Sequence, residues 1–275
     1  MKTSKIFVAV ISAFSLILPN LFTISAAEDK SYDQIKEKKE LVVSTSPDFA
    51  PFEFIDDSKK GQEQYVGADI ELAKFIADKM GVELKIEAMA FDQCYAAVAQ
   101  GKVDLAISGF SETEERKENF NLSDTYSNDE KQILLVRKGD ESKFSTKDSL
   151  KGAKIAVQNA SLQQQVVQDE LPEANIELIT DVNLAVEMLA RGKVDALALG
   201  ESNAEIILHN HEDLALAKFS FEYVEKGYLI LVNKESKQLL DEVNKILEEV
   251  KEDNMYDKWK KEAIDLALSL GIELS

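Results

Sequence analysis

The chain has 275 residues, of which 45% are hydrophobic and 30% charged, a composition typical of a globular protein with one large domain or two small ones. Its formal net charge of −19 argues against nucleic acid and anionic lipid as partners, because both are bound by basic surfaces. The acidity itself is explained most simply by a solvated surface that keeps the protein soluble.

The first 27 residues have the order of features found in a secretory signal peptide. Lys2 and Lys5 give a basic start, residues 6–18 are mostly apolar, and residues 25–27 are small. The apolar stretch is too short to span a bilayer comfortably. We therefore expect a signal peptide over residues 1–27 and a mature chain that begins near Glu28, with an uncleaved anchor as the alternative.

Cys94 is the single cysteine of the chain, so an intrachain disulfide is excluded. It lies far beyond the predicted cleavage site, and we therefore expect no lipidated cysteine at the mature N-terminus. Its mostly apolar neighbours favour a buried hydrophobic role over a catalytic one.

Apolar periodicity alternates between strand and helix along the rest of the chain. Residues 41–44 predict a strand, residues 69–80 an amphipathic helix that ends at Gly81, and residues 82–87 a second strand. Residues 234–270 are helical in pattern and are expected to pack against the domain. This alternation predicts an α/β protein with a mostly parallel sheet flanked by helices.

Three phenylalanines follow the first predicted strand, at positions 49, 52 and 54. We assign Phe52 and Phe54 to the core. Phe49 lies in the loop between Asp48 and Ala50, where core packing and the apolar wall of a ligand site remain alternatives.

One segment of the chain recurs 91 residues later. Residues 99–109 (AQGKVDLAISG) return as residues 190–200 (ARGKVDALALG), and each copy predicts a helix end, a glycine and a buried strand. The spacing is too long for a solenoid repeat but suits one unit in each of two similar lobes. Chance similarity of a common helix–glycine–strand unit is the alternative.

Two short polar motifs, each after a predicted strand, have the form of a capping box. They begin at Ser111 and Ser161 and have Glu114 and Gln164 three residues later. Ligands bind at strand ends in open α/β sheets, and free amides at a helix N-terminus favour an anion. The motifs therefore predict an anion-binding element in each lobe.

Arg116 is distinctive because the chain has 29 lysines and only three arginines. Arg191 precedes a helix-ending glycine and Arg137 follows a predicted strand, positions typical of the surface. Arg116 lies about one helical turn from Ser111. It is either a solvated charge paired with Glu112 or a bidentate clamp on a ligand carboxylate.

Residue patterns typical of catalysis are scarce. His209 and His211 are two positions apart, so they do not face the same way on a helix. The sequence shows neither a metal-ligand cluster nor a glycine-rich phosphate loop. We therefore predict that the protein is not an enzyme and that it carries no cofactor and no metal.

Taken in order, several segments resemble the polar amino acid-binding proteins of ABC importers, which have the two-lobed, type II periplasmic binding protein fold. The segments are residues 46–54 (SPDFAPFEF), 66–73 (VGADIELA), 91–92 (FD), 101–109 (GKVDLAISG), 113–116 (TEER) and 150–158 (LKGAKIAVQ). The resemblance covers residues 41–259, nearly the whole predicted mature chain.

The resemblance implies an extracytoplasmic, monomeric solute-binding protein that captures a free amino acid and delivers it to the transmembrane permease of an ABC transporter. Lobe one would comprise residues 28–128 and 234–275, and lobe two residues 129–233, with two hinge crossings between them. Alternatives are a secreted dehydratase-like enzyme on the same fold, with Glu201 as its general acid or base, and a ligand sensor or adhesion protein.

The resemblance also implies roles for individual residues. Arg116 would bind the α-carboxylate of the ligand, and Ser161 would meet the same carboxylate from lobe two. Further hydrogen bonds and the aromatic walls would come from Ser108, Gly109, Ser111, Phe49 and Phe91.

The chain departs from the family pattern at two positions. The family usually has an aspartate at position 200 that pairs with the ligand ammonium, whereas this chain has Gly200 followed by Glu201. Members that select polar or cationic side chains often have an acid where this chain has Ser46. We therefore expect either that Glu201 binds the ammonium or that the ligand is not an ordinary α-amino acid. We also expect a polar, not clearly cationic ligand whose side chain contacts Asp48 and Gln93.

Overall fold

The computed structural model describes residues 29–271. The predicted signal peptide, residues 1–27, therefore lies outside the described residues. Across residues 29–271, no helix combines the length and the apolar character needed to cross a bilayer.

Strands and helices alternate along the described chain, as the apolar periodicity predicts. The strands are β1 Glu40–Thr45, β2 Phe54–Ile55, β3 Tyr65–Val66, β4 Glu83–Ala88, β5 Leu105–Phe110, β6 Phe120–Leu122, β7 Glu130–Arg137, β8 Lys154–Gln158, β9 Asn175–Ile179, β10 Ala196–Gly200, β11 Leu214–Leu216, β12 Val224–Glu225 and β13 Leu229–Asn233. The helices are α1 Ser31–Lys38, α2 Ala68–Met80, α3 Phe91–Ala99, α4 Glu114–Asn119, α5 Leu162–Glu170, α6 Val182–Ala190, α7 Glu201–Asn210, α8 Lys237–Glu252 and α9 Met255–Leu270.

The strands form two main sheets, one in each lobe, which confirms the predicted two-lobed α/β architecture. The first sheet has the order β4-β1-β5-β13-β6, and the second has the order β11-β7-β10-β8-β9, with β12 also paired to β7. Strand β1 is parallel to β4 and β5, and β8 is parallel to β9 and β10. Both β13 and β7 run antiparallel to their neighbours, so the sheets are mixed rather than mostly parallel.

The chain crosses between the sheets twice, and the crossings lie side by side. It leaves the first sheet after β6, enters the second at β7, and returns between β12 and β13. The amide of Tyr126 on the outward crossing donates to the carbonyl of Tyr228 on the return crossing at 2.8 Å. The amide of Tyr228 donates to Ser127 Oγ at 2.7 Å.

The return crossing comes earlier than the sequence predicted. Residues 229–233 were assigned to lobe two, but β13 pairs with β5 and β6 of the first sheet. The apolar run of β13 indicates a buried strand in either sheet, because periodicity does not identify the hydrogen-bonding neighbour.

The sequence echo corresponds to one structural unit in each lobe. In both copies a helix ends, a glycine adopts positive φ (65° at Gly101 and 68° at Gly192), and a buried strand follows. The aspartates of the two copies also have equivalent bonds. Asp104 accepts from the amide of Val42 at 2.8 Å, and Asp195 accepts from the amide of Lys154 at 2.9 Å, so each joins its strand to the neighbouring strand of its sheet.

The C-terminal helices pack against the first lobe, as predicted. Helix α9 contacts α2, and α8 contacts β13 and β6. Phe52 and Phe54 are buried in the same core, which confirms their assignment. The burial of these apolar faces supplies the main free energy that stabilises the lobe.

Candidate functional site

Residues near the carboxyl ends of β1, β5 and β8 enclose a cavity between the two lobes. The lining residues are Asp48, Phe49, Glu53, Phe91, Ser108, Gly109, Ser111 and Arg116 from lobe one, Gln158, Ser161, Leu162 and Gln163 from lobe two, and Tyr228 from the return crossing. The lobes are closed against each other, so the remaining space is about 10 Å³. That space is close to the volume of a single water probe.

Arg116 is the central cation of this cavity and only 6% of its surface is exposed. One guanidinium nitrogen donates to the carbonyl of Ser111 at 2.7 Å, and another donates to the carbonyl of Ala160 in lobe two at 3.0 Å. Glu112 forms its ion pair with Lys117 instead. Burial lowers the pKa of the Arg116 guanidinium to about 10, so the group remains a cation at neutral pH. The alternative of a solvated helix charge is therefore wrong.

Phe91 and Phe49 supply the aromatic surface of the cavity, and each stacks on a second ring that is fully buried. Phe91 stacks on Phe110 with ring centroids 4.7 Å apart, and the guanidinium carbon of Arg116 lies 5.1 Å from the Phe110 centroid. Phe49 stacks on Phe52 at 5.4 Å. The cavity therefore combines apolar surface with a buried guanidinium, as sites for small polar ligands do.

Asp48, also on the cavity wall, forms a bridge between the lobes. Its Oδ2 accepts from Gln158 Nε2 at 3.0 Å and from the amide of Val182 at 2.8 Å, both in lobe two. Its Oδ1 accepts from the hydroxyl of Ser46 at 2.8 Å. Burial raises the pKa of the Asp48 carboxyl to about 6.

Glu53, on the cavity wall, forms a buried carboxyl pair with Asp69. Asp69 accepts from the amide of Gly109 and from the hydroxyls of Tyr126 and Tyr256. Glu53 Oε1 accepts from Ser108 Oγ at 2.7 Å. Burial and the adjacent charge of Asp69 raise the pKa of Glu53 well above its usual value, and burial also raises the pKa of Asp69.

The two polar motifs differ in how they cap their helices. Helix α4 begins after Thr113, whose side chain accepts from the amide of Arg116 at 3.1 Å, so the predicted cap at Ser111 is wrong. Helix α5 begins after Ser161, whose hydroxyl accepts from the amide of Gln164 at 3.2 Å, as predicted. Ser111 is thus free of a capping role, and its hydroxyl hydrogen-bonds to Glu225.

Comparison with known proteins identifies the family. The model of the bacterial extracellular solute-binding proteins, family 3, matches residues 41–264. The chain belongs to this family. The resemblance noted in the sequence and the two-lobed fold are both confirmed by this match.

Individual members of family 3 are similar over most of the chain. The arginine-binding extracellular protein ArtP of Bacillus subtilis is 30% identical over 245 residues, which cover 87% of this chain and 92% of that protein. The L-cystine-binding protein TcyJ of Escherichia coli is 25% identical over 240 residues, which cover 86% of this chain and 88% of TcyJ.

Solved structures agree with this assignment. The amino acid ABC transporter substrate-binding protein AbpA from Streptococcus pneumoniae, bound to L-arginine, superposes with a TM-score of 0.81 at 37% identity and covers 86% of this chain and 99% of its own. The ancestral amino acid-binding protein AncCDT-1, a precursor of cyclohexadienyl dehydratase, superposes with a TM-score of 0.74 at 28% identity. The match covers 85% of this chain and 99% of AncCDT-1.

The structure of this family 3 protein brings most of the predicted site residues together. The predicted residues that line the cavity are Asp48, Phe49, Phe91, Ser108, Gly109, Ser111, Arg116 and Ser161. Ser46 lies in an adjacent groove of about 540 Å³. Glu201 begins α7, half-buried, and does not line the cavity. The contacts of all these residues with a ligand stay predictions.

Several cavity residues were not singled out in the sequence. Glu53 lies in a motif that indicates the family, but nothing in its position between two core phenylalanines indicates that it lines the cavity. Gln158 ends β8, a position that could have been inferred from the rule that ligands bind at strand ends. Tyr228 belongs to the return crossing, which the sequence predicts five residues later in the chain.

Cys94 does not line the cavity. It is buried, and burial raises the pKa of its thiol, which keeps the sulfur protonated. Within residues 29–271, no cluster of three or more His, Cys, Asp or Glu side chains could hold a metal ion.

Proposed function

We propose that this protein is the extracytoplasmic solute-binding component of an ABC importer and that it captures a free amino acid between its lobes. The observation that carries the proposal is the buried guanidinium of Arg116. Its two bonds go to neutral carbonyls of different lobes. A guanidinium in this position matches a carboxylate with two parallel hydrogen bonds, and a zwitterion needs such a partner when it leaves water.

We further propose that the ligand has a cationic side chain, with L-arginine as the first candidate. Asp48 is a carboxylate on the cavity wall, and Phe49 and Phe91 line the same cavity, where a guanidinium can bind to an aromatic ring. ArtP and AbpA, the relatives described above, are named for or bound to arginine.

This proposal replaces the expectation of a ligand that is not clearly cationic. That expectation depended on the absence of an acid at Ser46. In the folded protein the Ser46 hydroxyl is bonded to Asp48, so an acid two residues further along the chain supplies a carboxylate near the same point.

The two crossings are proposed to act as a hinge, with residues 29–128 and 229–271 forming one lobe and residues 129–228 the other. A ligand that contacts both lobes stabilises the closed form, and the permease recognises that form. We propose that the protein acts outside the cytoplasm as a monomer after export by the segment 1–27.

Binding rather than catalysis is proposed as the activity. Turnover of a cyclic acid needs a general acid or base within hydrogen-bond reach of the substrate. Glu201, the candidate named from the sequence, does not line the cavity, and the two acids that do, Asp48 and Glu53, accept hydrogen bonds from the protein itself.

Isothermal titration calorimetry of the mature protein with the twenty standard amino acids and cystine tests the proposal. We expect saturable binding of L-arginine and weaker binding of uncharged amino acids. A saturating ligand at 100 times its Kd should also stabilise the fold by about 2.7 kcal/mol in thermal unfolding. Binding of an uncharged amino acid alone would contradict the cationic proposal, and binding of none would contradict the function.

A further inference from the structure

Position 200 is distinguished by the space around it and not by its backbone conformation. Gly200 has φ −73° and ψ 150°, an extended conformation that any L-residue adopts. A Cβ atom placed on it would lie 2.9 Å from Glu130 Oε1 and 3.4 Å from the hydroxyl of Tyr228. The carboxyl group of Glu130 therefore fills the place where a side chain at position 200 would begin.

Glu130 reaches this place because of the register between β7 and β10. Gly200 is the cross-strand partner of Gln132, so Glu130, two residues earlier on the same face of β7, extends past the end of β10. Glu130 is only 6% exposed. Its oxygens accept from the amide of Ser202 at 2.7 Å and the hydroxyl of Tyr228 at 2.9 Å.

Both hydrogen-bond partners of Glu130 are neutral, and each of its oxygens has the capacity to accept a second bond. Tyr228 connects this carboxylate with the cavity, because Tyr228 itself lines the cavity wall. Glu130 itself does not line the cavity of this closed form and lies one hydrogen bond beyond Tyr228, so a ligand ammonium would reach its carboxylate beside Tyr228, at the end of β10.

A second buried carboxylate lies beside the first. Glu225 of β12 is the direct cross-strand partner of Glu130 and is 1% exposed. Its Oε2 is buried without a hydrogen-bond partner, and its other contacts include the hydroxyl of Ser111. Arg116 offsets part of the charge of Glu225. Adjacent like charges on paired strands are nevertheless unfavourable, and a buried acceptor without a donor is costly, so the pair favours a further cationic donor.

We propose that Glu130, with Glu225 beside it, binds the α-ammonium group of the amino acid whose α-carboxylate is held by Arg116. This inference rests on the proposed function and assigns the ammonium to β7 rather than to Glu201 on α7. Position 200 is then glycine because the acid comes from the neighbouring strand and needs the space.

The test compares two ligands that differ only in the α-amino group: L-arginine and deamino-arginine, the guanidino acid that lacks it. Calorimetry on the mature chain measures both with Glu130→Gln, an isosteric change that removes the charge. Truncation of a buried charge partner typically costs 2 kcal/mol or more, so we expect L-arginine to bind about 30-fold more weakly or worse. The affinity for deamino-arginine should stay the same.

The matched controls are Glu205→Gln, an exposed acid on α7, and Glu201→Gln. We expect Glu205→Gln to bind both ligands as the unsubstituted protein does. Equal loss of both ligands in Glu130→Gln would show a merely structural role and would overturn the inference. Selective loss of L-arginine in Glu201→Gln, with unchanged binding in Glu130→Gln, would overturn it as well.

If Glu130→Gln does not fold, a second set of variants, in which the carboxylate is moved from position 130 to position 200, tests the same inference. Gly200→Asp alone should be destabilised because its Cβ collides with Glu130. The double variant Gly200→Asp with Glu130→Ala removes the collision and returns a carboxylate to the end of β10, so it should prefer L-arginine over deamino-arginine. A folded double variant that binds both equally would overturn the inference. Failure of the unsubstituted protein to bind any amino acid would instead overturn the proposed function beneath it.

Discussion

The guanidinium of Arg116 is enclosed by aromatic rings and backbone carbonyls, and it keeps its charge at neutral pH. The hydrogen-bond partners of this cation are neutral and Glu225 is the main charge that offsets it, so an anion that enters the cavity gains more there than it would in water. The geometry of two nitrogens is as important as the charge, because only a planar fork can make two parallel bonds with a carboxylate.

Arg116→Lys should therefore weaken amino acid binding although the positive charge is preserved. The loss of a bidentate, charge-assisted contact corresponds to about 2 kcal/mol, or roughly 30-fold in Kd measured by calorimetry. Arg191→Lys, at an arginine whose side chain is 73% exposed, is the control and should leave Kd unchanged. Equal affinities for Arg116→Lys and the unsubstituted protein would contradict the carboxylate role.

Asp48 predicts the pH dependence of binding. Because burial raises the pKa of this acid to about 6, Asp48 is neutral below that pH and charged above it. A cationic side chain binds the charged form, so arginine affinity should fall as the pH decreases through about 6, and binding near pH 6 should release protons. Calorimetry in buffers of different ionisation enthalpy measures the release. Asp48→Asn should weaken binding at neutral pH and flatten this profile, and affinity that rises on acidification would contradict the prediction.

At the scale of elements, the two crossings are joined by an unusually close approach of their backbones. Gly227 has φ 95°, and a Cβ atom there would lie 2.4 Å from the carbonyl oxygen of Ser127. Gly139 has nearly the same φ, 97°, but open space around it. Substitutions at Gly227 and Gly139 can therefore be compared to separate the cost of a left-handed backbone from the cost of contact between the crossings.

Gly227→Ala should destabilise the protein by about 1–3 kcal/mol more than Gly139→Ala, because only the first substitution adds overpacking to backbone strain. Chemical denaturation followed by circular dichroism gives both values. If the two substitutions had equal effects, the close approach of the crossings would not contribute to stability.

At the scale of the whole molecule, the lobes are held closed by polar contacts around the cavity. Asn159 Nδ2 of lobe two donates to Asp92 Oδ2 at 3.0 Å, and Asn203 Nδ2 donates to the carbonyl of Ala50 at 2.7 Å. Each hydrogen bond of this kind contributes modestly to the free energy of the closed form. The binding free energy of a ligand can therefore decide between the open and closed forms.

We expect small-angle scattering to show a smaller radius of gyration for the arginine-saturated protein than for the ligand-free protein. The saturated profile should match the closed arrangement described above, because a ligand that touches both lobes shifts the population toward it. Arg116→Ala with the same arginine concentration is the control and should remain unchanged. An unchanged profile of the unsubstituted protein, at saturation verified by calorimetry, would contradict hinge closure.

The sequence by itself determined the α/β class, the repeated unit in each lobe, the helix α2 with its glycine cap, and most of the residues that line the cavity. These features depend on local propensity and on apolar periodicity, which are read from neighbouring residues. The tertiary structure decided the burial of Arg116, the membership of β13 in the first sheet, and the placement of Glu130 beside Gly200. Each of these features depends on strand pairing or on contacts between residues that are distant along the chain. Local apolar patterning does not specify which distant strand or side chain a residue contacts.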